Sequence, residues 1–412
     1  ETELELADIT DVSVSSQIRE GYVEKAPISA VIVGSRFEGS FGIDLRGEIP
    51  RIGLEIQSSK VEVGTLLAQL GVVDGLNASA GGFDLDLELE GASTREILER
   101  SSLSVGIRDG AWSLRSPGAE TGLTIRVPDA AIGAEPGEPI RLTIDGLIDR
   151  TPVRIEVSTD PLGTFAEPKE KLEMDVGVAL AKADLKLTGA APLPVRGDNL
   201  HFAMDLRGRR FSDFDELLNV DLPPVGPYRL QGGFGSQQSG YYVRDLRLTV
   251  GESNLTGRLD LKTAQRPPFL GVDLVARRIQ LDDFDTGDWS ATGEGGTSAD
   301  EEGKTAAGQE DGTAAAGGRS LLSPEVMRSL DSKLTIGVDE VLSGRDHLGR
   351  GTLIASLQNG RFAVDPLVLD LPGGAVDVSF ALEPGERDVS LDMSAKVDKL
   401  DYGILARRID PK

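Results

Sequence analysis

Residues 81–91 read GGFDLDLELEG, with Phe83, Leu85, Leu87 and Leu89 on one parity and Asp84, Asp86, Glu88 and Glu90 on the other. Successive side chains of a β-strand point to opposite faces, so an extended chain here has one apolar face and one carboxylate face. A helix would scatter both classes around its circumference and bury acids, which excludes it. The alternation returns as LTIRV (123–127), IRLTI (140–144), VRIEV (153–157), LEMDVGVAL (172–180), LRLTV (246–250), LTIGV (334–338), LVLDL (367–371) and VDVSFAL (376–382). Between such runs stand turn signals, RDGAW (108–112), VGESN (250–254), QNGRF (358–362) and EPGER (383–387), so the pattern predicts short antiparallel strands.

Helical spacing is confined to three segments. Residues 61–72 place Val63, Leu66, Leu67 and Leu70 on one side; residues 93–100 open with a Ser93/Glu96 capping box; residues 323–330 put Pro324 at the first helical position. A plan of strand, turn, strand and short amphipathic tail recurs at 42–67, 257–285 and 379–404, with a shorter echo at 201–218. Each copy ends a strand on basic residues before an aliphatic-acidic segment: Lys60, Arg209 with Arg210, Arg277 with Arg278, and Lys396. Those cations are placed to tie to the acidic face. Residues 290–319 contain no aliphatic larger than Ala and cannot offset the entropy of ordering, so they read as a disordered insertion. The chain therefore divides into a repetitive β region at 1–289, the insertion at 290–319 and a continuation at 320–412.

With 39% hydrophobic but only 5% aromatic residues among 412, whatever is buried is mostly aliphatic, and the 50 glycines suit many turns. The formal net charge of -25 would repel phosphate backbones, and no basic stripe interleaves with aromatics, which argues against a nucleic-acid partner. Zero cysteines exclude disulfides and thiolate chemistry. No apolar run approaches the roughly 20 residues that cross a bilayer, and no signal-peptide core is present. The chain starts at Glu1 without a Met and ends soon after a strand-like stretch and LDYGIL (400–405), which suggests a piece of something longer.

Catalytic signals are absent from the sequence. The two histidines, His201 and His347, belong to no catalytic box, and no GxSxG, Walker A, HExxH or dinucleotide fingerprint occurs. GGFGSQQSG (232–240) looks like a phosphate-cradling loop but lacks the Lys and the following helix, so it reads as a hairpin connection. Carboxylate rows such as Asp84, Asp86 and Glu88, or Asp282, Asp283 and Asp285, raise a calcium reading. Alternate carboxylates on one strand lie roughly 6.5 to 7 Å apart and lack a converging loop, so a solvated acidic face is the preferred account. The expectation is a protein that is not an enzyme and has no cofactor and no metal site.

Alternating strands ordinarily line a sandwich or barrel. Repeats, scarce helices, few aromatics and length point instead to an elongated repetitive antiparallel sheet curved into a hydrophobic groove, with a few short helices. Residues 222–284, LPPVGPYRLQGGFG…YYVRDLRLTVGESNLTGRLDL…PPFLGVDLVARRIQLDDF, resemble the AsmA-like family of bacterial envelope proteins, as do 61–114 and the last ninety or so residues. The resemblance implies a periplasmic β-groove protein related to TamB-like and YhdP-like proteins, held in the inner membrane by an N-terminal helix that this chain lacks. It further implies outer-membrane homeostasis and bridge-like phospholipid transfer, with acyl chains as the partner and no catalytic residues. Strand parity selects Phe83, Leu85, Leu87, Leu89, Leu246, Leu248, Val250, Leu259, Leu261, Val272, Leu274, Leu367, Leu369, Val376, Val378 and Phe380 as lipid-contact positions. The competing reading is a scaffold or chaperone-like module that assists outer-membrane protein assembly; a third is a calcium-stabilised surface repeat.

Overall fold

The computed structural model describes residues 9–16, 19–114, 123–167, 169–287, 319–371, 373–385 and 389–398. The fold is mainly β, 67% strand against 11% helix, built largely of antiparallel strand pairs with few short helices. Two compact units divide the chain, one of Glu1–Asp205 with Gly233–Tyr241 and one of Leu206–Gly232 with Tyr242–Lys412.

The first unit contains β1 (Ile9–Val14), β2 (Tyr22–Ile32), β3 (Ser35–Asp44), β4 (Arg51–Ser58), α1 (Val63–Gln69), β5 (Leu76–Ser79), β6 (Gly82–Glu90), α2 (Thr94–Arg100) and β7 (Ser102–Leu114). It continues through β8 (Leu123–Ala134), β9 (Pro139–Ile148), β10 (Thr151–Pro161), β11 (Lys171–Leu180) and β12 (Ala183–Pro192). Pairing is antiparallel and follows chain order, except that β6 lies beside β4 and β5 adds to the far half of β7. Next in the chain come β13 (His201–Gly208), α3 (Asp215–Leu218), β14 (Tyr228–Gln237) and β15 (Gly240–Val250). The 232–240 glycine run forms the end of β14, a turn and the start of β15. The second unit goes on with β16 (Ser253–Lys262), β17 (Phe269–Gln280), α4 (Pro324–Ser329), β18 (Asp331–Ser343), β19 (Asp346–Gln358), β20 (Arg361–Leu371), β21 (Gly374–Pro384) and β22 (Val389–Asp398).

Two expectations change. RDGAW is not a turn: β7 runs straight through it, with Asp109 at φ 52° and the β7–β8 register unchanged from Arg108 opposite Asp129 to Gly110 opposite Val127. Asp tolerates that left-handed conformation better than most residues, and Asp245 does the same in β15 with φ 50°. Strands are consequently longer than the turn signals suggested. Second, β17 and β18 pair in parallel, Val272 opposite Leu334 and Leu274 opposite Ile336. A parallel neighbour requires a crossover, and residues 281–330 supply one. The insertion expected at 290–319 lies outside the described residues, apart from Arg319, whose N–H donates to the Asn219 carbonyl at 3.1 Å.

All three expected helices form. Ser93 Oγ accepts from the Glu96 N–H at 3.3 Å, while Glu96 reaches back to the Ala92 N–H at 3.0 Å. Ser323 caps α4 through the Val326 N–H, with Pro324 in the first turn. A short 3₁₀ turn at 162–166 follows β10, and others at 211–214 and 281–284 occupy the aliphatic-acidic tails that follow β13 and β17. The last of these is a latch. Asp283 Oδ2 accepts from the Glu252 N–H (2.9 Å), the Ser253 N–H (2.8 Å) and the Ser253 hydroxyl (2.7 Å), pinning the end of β17 to the turn between β15 and β16. Ser253 is fully buried, so it has no water to fall back on. Replacing Asp283 with Ala is expected to lower unfolding free energy by about 2 kcal/mol through orphaned buried donors, read as an earlier denaturant midpoint; an unchanged midpoint would show that the latch contributes nothing.

Candidate functional site

Cross-strand register converts the alternation within each strand into rows that run across strands. In the first unit one row passes Val14, Ile28, Gly39, Ile56, Leu85, Val105, Ile132, Leu142, Val157, Val176 and Leu187, each directly opposite the next. Only Gly39 lacks an aliphatic side chain. Eleven strands at about 4.8 Å spacing make this lane roughly 48 Å long. The second unit has its own row, Leu259, Val272, Leu334, Ala355, Val364, Phe380 and Met393, roughly 29 Å long by the same spacing.

Most positions along both rows are half-buried, their flanks covered by strand neighbours; in the first unit Ile56, Leu85, Val105, Ile132 and Leu142 also belong to or pack against the core around α1 and β5. Of the sixteen residues selected from sequence, Leu246, Val250 and Leu274 are buried and the rest are half-buried. Val250 is the clearest departure. It packs with Tyr228 and Val225 under Phe211, Phe214, Leu206 and Leu248, in a small core capped by the 3₁₀ turn at 211–214. Parity could not reveal that cap. Phe83, Leu85, Leu87 and Leu89 stand together in the first-unit lane region, with Phe83 edge-on to Phe37 at 5.8 Å. Leu259, Leu261, Val272 and Leu274 share the β16–β17 pair, and Leu367, Leu369, Val376, Val378 and Phe380 share β20 and β21. Parity in IRLTI, VRIEV, LEMDVGVAL and LTIGV would also have found Leu142, Val157, Val176 and Leu334, had those segments been aligned by pairing.

The chain covers part of its own first-unit lane. Val61, Val63, Ala78 and Ala80, around α1 and β5, form one core with Ile107, Val127, Ala130 and Ile144 of the sheet, and Leu66, Leu67 and Leu85 pack against it. Val157, Val176 and Leu187 lie outside that cluster.

The opposite parity carries the charges. Arg108 pairs with Asp84 at 2.6 Å, Arg51 with Glu90 at 3.0 Å, Arg154 with Asp145 at 3.2 Å and Arg258 with Asp273 at 2.7 Å. Arg278 ties to the acidic face as the sequence suggested, its Nε 2.7 Å from Glu340. A concavity of about 720 Å³ on this side is lined by Arg36, Glu38, Glu55, Asp84 and Arg108 among others. The suggested calcium ligands are engaged elsewhere: Asp283 as above, Asp282 with the Gln280 amide at 2.7 Å and the Gly344 N–H at 3.1 Å, and Asp285 with the Gly287 N–H at 2.9 Å. Among the described residues no three His, Cys, Asp or Glu converge on a metal position, and no helix is long and apolar enough to cross a membrane.

His347 Nδ1 lies 2.6 Å from Glu340, so Glu340 on β18 bridges Arg278 on β17 and His347 on β19. The Arg278 hydrogen bond is the main cause that holds the Glu340 carboxyl below its ordinary value of 4.5. A depressed carboxylate pKa contributes stability above the unfolded-state pKa, which is lost as pH falls through the folded one. Arg278→Gln is therefore expected to raise the Glu340 titration midpoint toward its ordinary value, followed by carboxyl carbon NMR; an unmoved midpoint would refute the tie.

Comparison with protein-family models, with characterised proteins and with solved structures gives no match.

Proposed function

We propose that this protein is a non-enzymatic envelope component that shields lipid acyl chains along its apolar face and so contributes to phospholipid transfer between two membranes. The observation that carries the reading is the unbroken eleven-strand row, aliphatic at every position but Gly39 and half-buried over most of its length. Exposing a sixteen-carbon chain to water costs on the order of 12 kcal/mol, at about 0.8 kcal/mol per methylene. A continuous strip of medium aliphatics lowers that cost at every step and needs no fixed polar site. The lane, at roughly 48 Å, exceeds the whole hydrocarbon thickness of a bilayer, about 30 Å. The sequence resemblance of residues 222–284 to AsmA-like proteins supports the same role and, with it, a periplasmic location and attachment to the inner membrane through an anchor outside this chain.

A second reading, a scaffold that assists outer-membrane protein assembly, draws support from β22. There Leu391, Met393 and Val397 are exposed on a strand paired, among the described residues, only with β21. Such an edge can add a client strand.

Val176→Asp and Ile107→Asp separate a wet lane from a dry core. Val176 is half-buried, whereas Ile107 is 1% exposed. The first variant is expected to fold with a melting temperature close to that of the parent while losing co-purified lipid in native mass spectrometry; the second should be destabilised by several kcal/mol. Lipid-free parent protein, or equal destabilisation by both substitutions, would defeat the lipid reading.

A further inference from the structure

Residues 61–81 depart from the sheet after β4 and rejoin it through β5 before β6, and besides the β5–β7 pairing they are held at two places of very different character. The neck is a β-bridge, with Val61 N–H donating to Ala80 O at 3.0 Å and Ala80 N–H to Val61 O at 2.9 Å. Val61, Val63, Ala78 and Ala80 are all buried there against the apolar face. The tip, Val72 to Asp74, reaches the segment that follows β12. Val195 N–H donates to Val72 O at 2.9 Å, Asp74 N–H to Val195 O at 3.0 Å, and Arg196 lies 3.2 Å from Asp74.

These two attachments complete a circuit. From β7 the sheet proceeds hydrogen bond by hydrogen bond to β12, the chain runs on to Val195, Val195 holds Val73, and β5 leads back to β7. The neck residues pack on Ile107, Ala130 and Ile144, so the apolar face lies inside the circuit. We infer that segment 61–81 is a strap that encloses the first-unit lane between β7 and β12 and opens at its tip to admit or release an acyl chain. This rests on the acyl-chain reading above. The asymmetry of the attachments supports it. The neck is dry, while the tip is held by two backbone hydrogen bonds and an ion pair whose side chains are both 56% exposed. Gly71 (φ 67°) and Gly75 (φ 78°) flank the tip, with nothing within 4 Å of where a Cβ would stand, and they provide backbone pivots on either side of it.

The chain has no cysteine, so Val73→Cys with Val195→Cys introduces the only thiols, at positions the parallel bridge places opposite each other. Mild oxidation should join them. The oxidised pair is expected to slow exchange of pyrene-labelled palmitate between the protein and phosphatidylglycerol vesicles about tenfold, with recovery on reduction. Arg196→Glu, which repels Asp74, should speed exchange about fivefold in the cysteine-free protein. Failure of the disulfide to form, or exchange that is equal in both redox states and in Arg196→Glu, would overturn the strap while leaving lipid binding intact. A protein that takes up no probe in any state would remove the acyl-chain reading itself.

Discussion

Strand register is the constraint on which everything else in this molecule depends. The side-chain period of a strand is two, so a slip of one residue between neighbours would move every aliphatic of the shifted strand to the charged face. In β10 and β11, seven consecutive pairs from Val153 opposite Leu180 to Thr159 opposite Met174 hold that alignment without a break. The charged face enforces the same alignment. Each exposed ion pair is worth under about 1 kcal/mol, too little to hold a sheet together. Arg154 opposite Asp145 and Arg258 opposite Asp273 instead make the wrong register costly, because a one-residue slip would set Arg258 against Val272 or Leu274.

Much of this fold was legible because alternation is a local property. Phe83 through Glu90 announces its strand without reference to any neighbour, and Ser93 with Glu96 announces its helix. Asn359 and Gly360 both take positive φ in a two-residue turn, as an Asn-Gly pair between alternating runs should. The turn at Ala181 and Lys182 uses the same conformation, φ 51° and 59°, with neither Gly nor Asn to mark it. There the pairing of β11 and β12 imposes a backbone that the residues themselves disfavour.

The lane was legible in part. Parity selected aliphatics within single strands, but a row across eleven strands exists only once each register is known, and register is a long-range property. The burial of Val250 was invisible for a related reason. Its cover comes from Phe211 and Phe214, nearly forty residues earlier in the chain, on a 3₁₀ turn too short to carry a helical pattern. The parallel pairing of β17 and β18 likewise depends on a crossover of some fifty residues whose composition gives no hint of the geometry it allows.

The half-buried state of the lane follows from what the described chain has available to cover it. Its α-helices are seven, seven, four and six residues long, so even the longest spans only about 10 Å at 1.5 Å per residue. Strands of ten to thirteen residues make the sheet wider than that, and the first-unit row is several times longer. Each short element therefore closes a local patch, as α1 does over Ile107 and Phe211 over Tyr228. Between those patches medium aliphatics stay within reach of solvent, and charged pairs on the other parity supply solubility. A packed second layer would need long amphipathic helices or a facing sheet. Among the described residues the sequence provides neither, so the aliphatic lane stays without a second packed layer along most of its length.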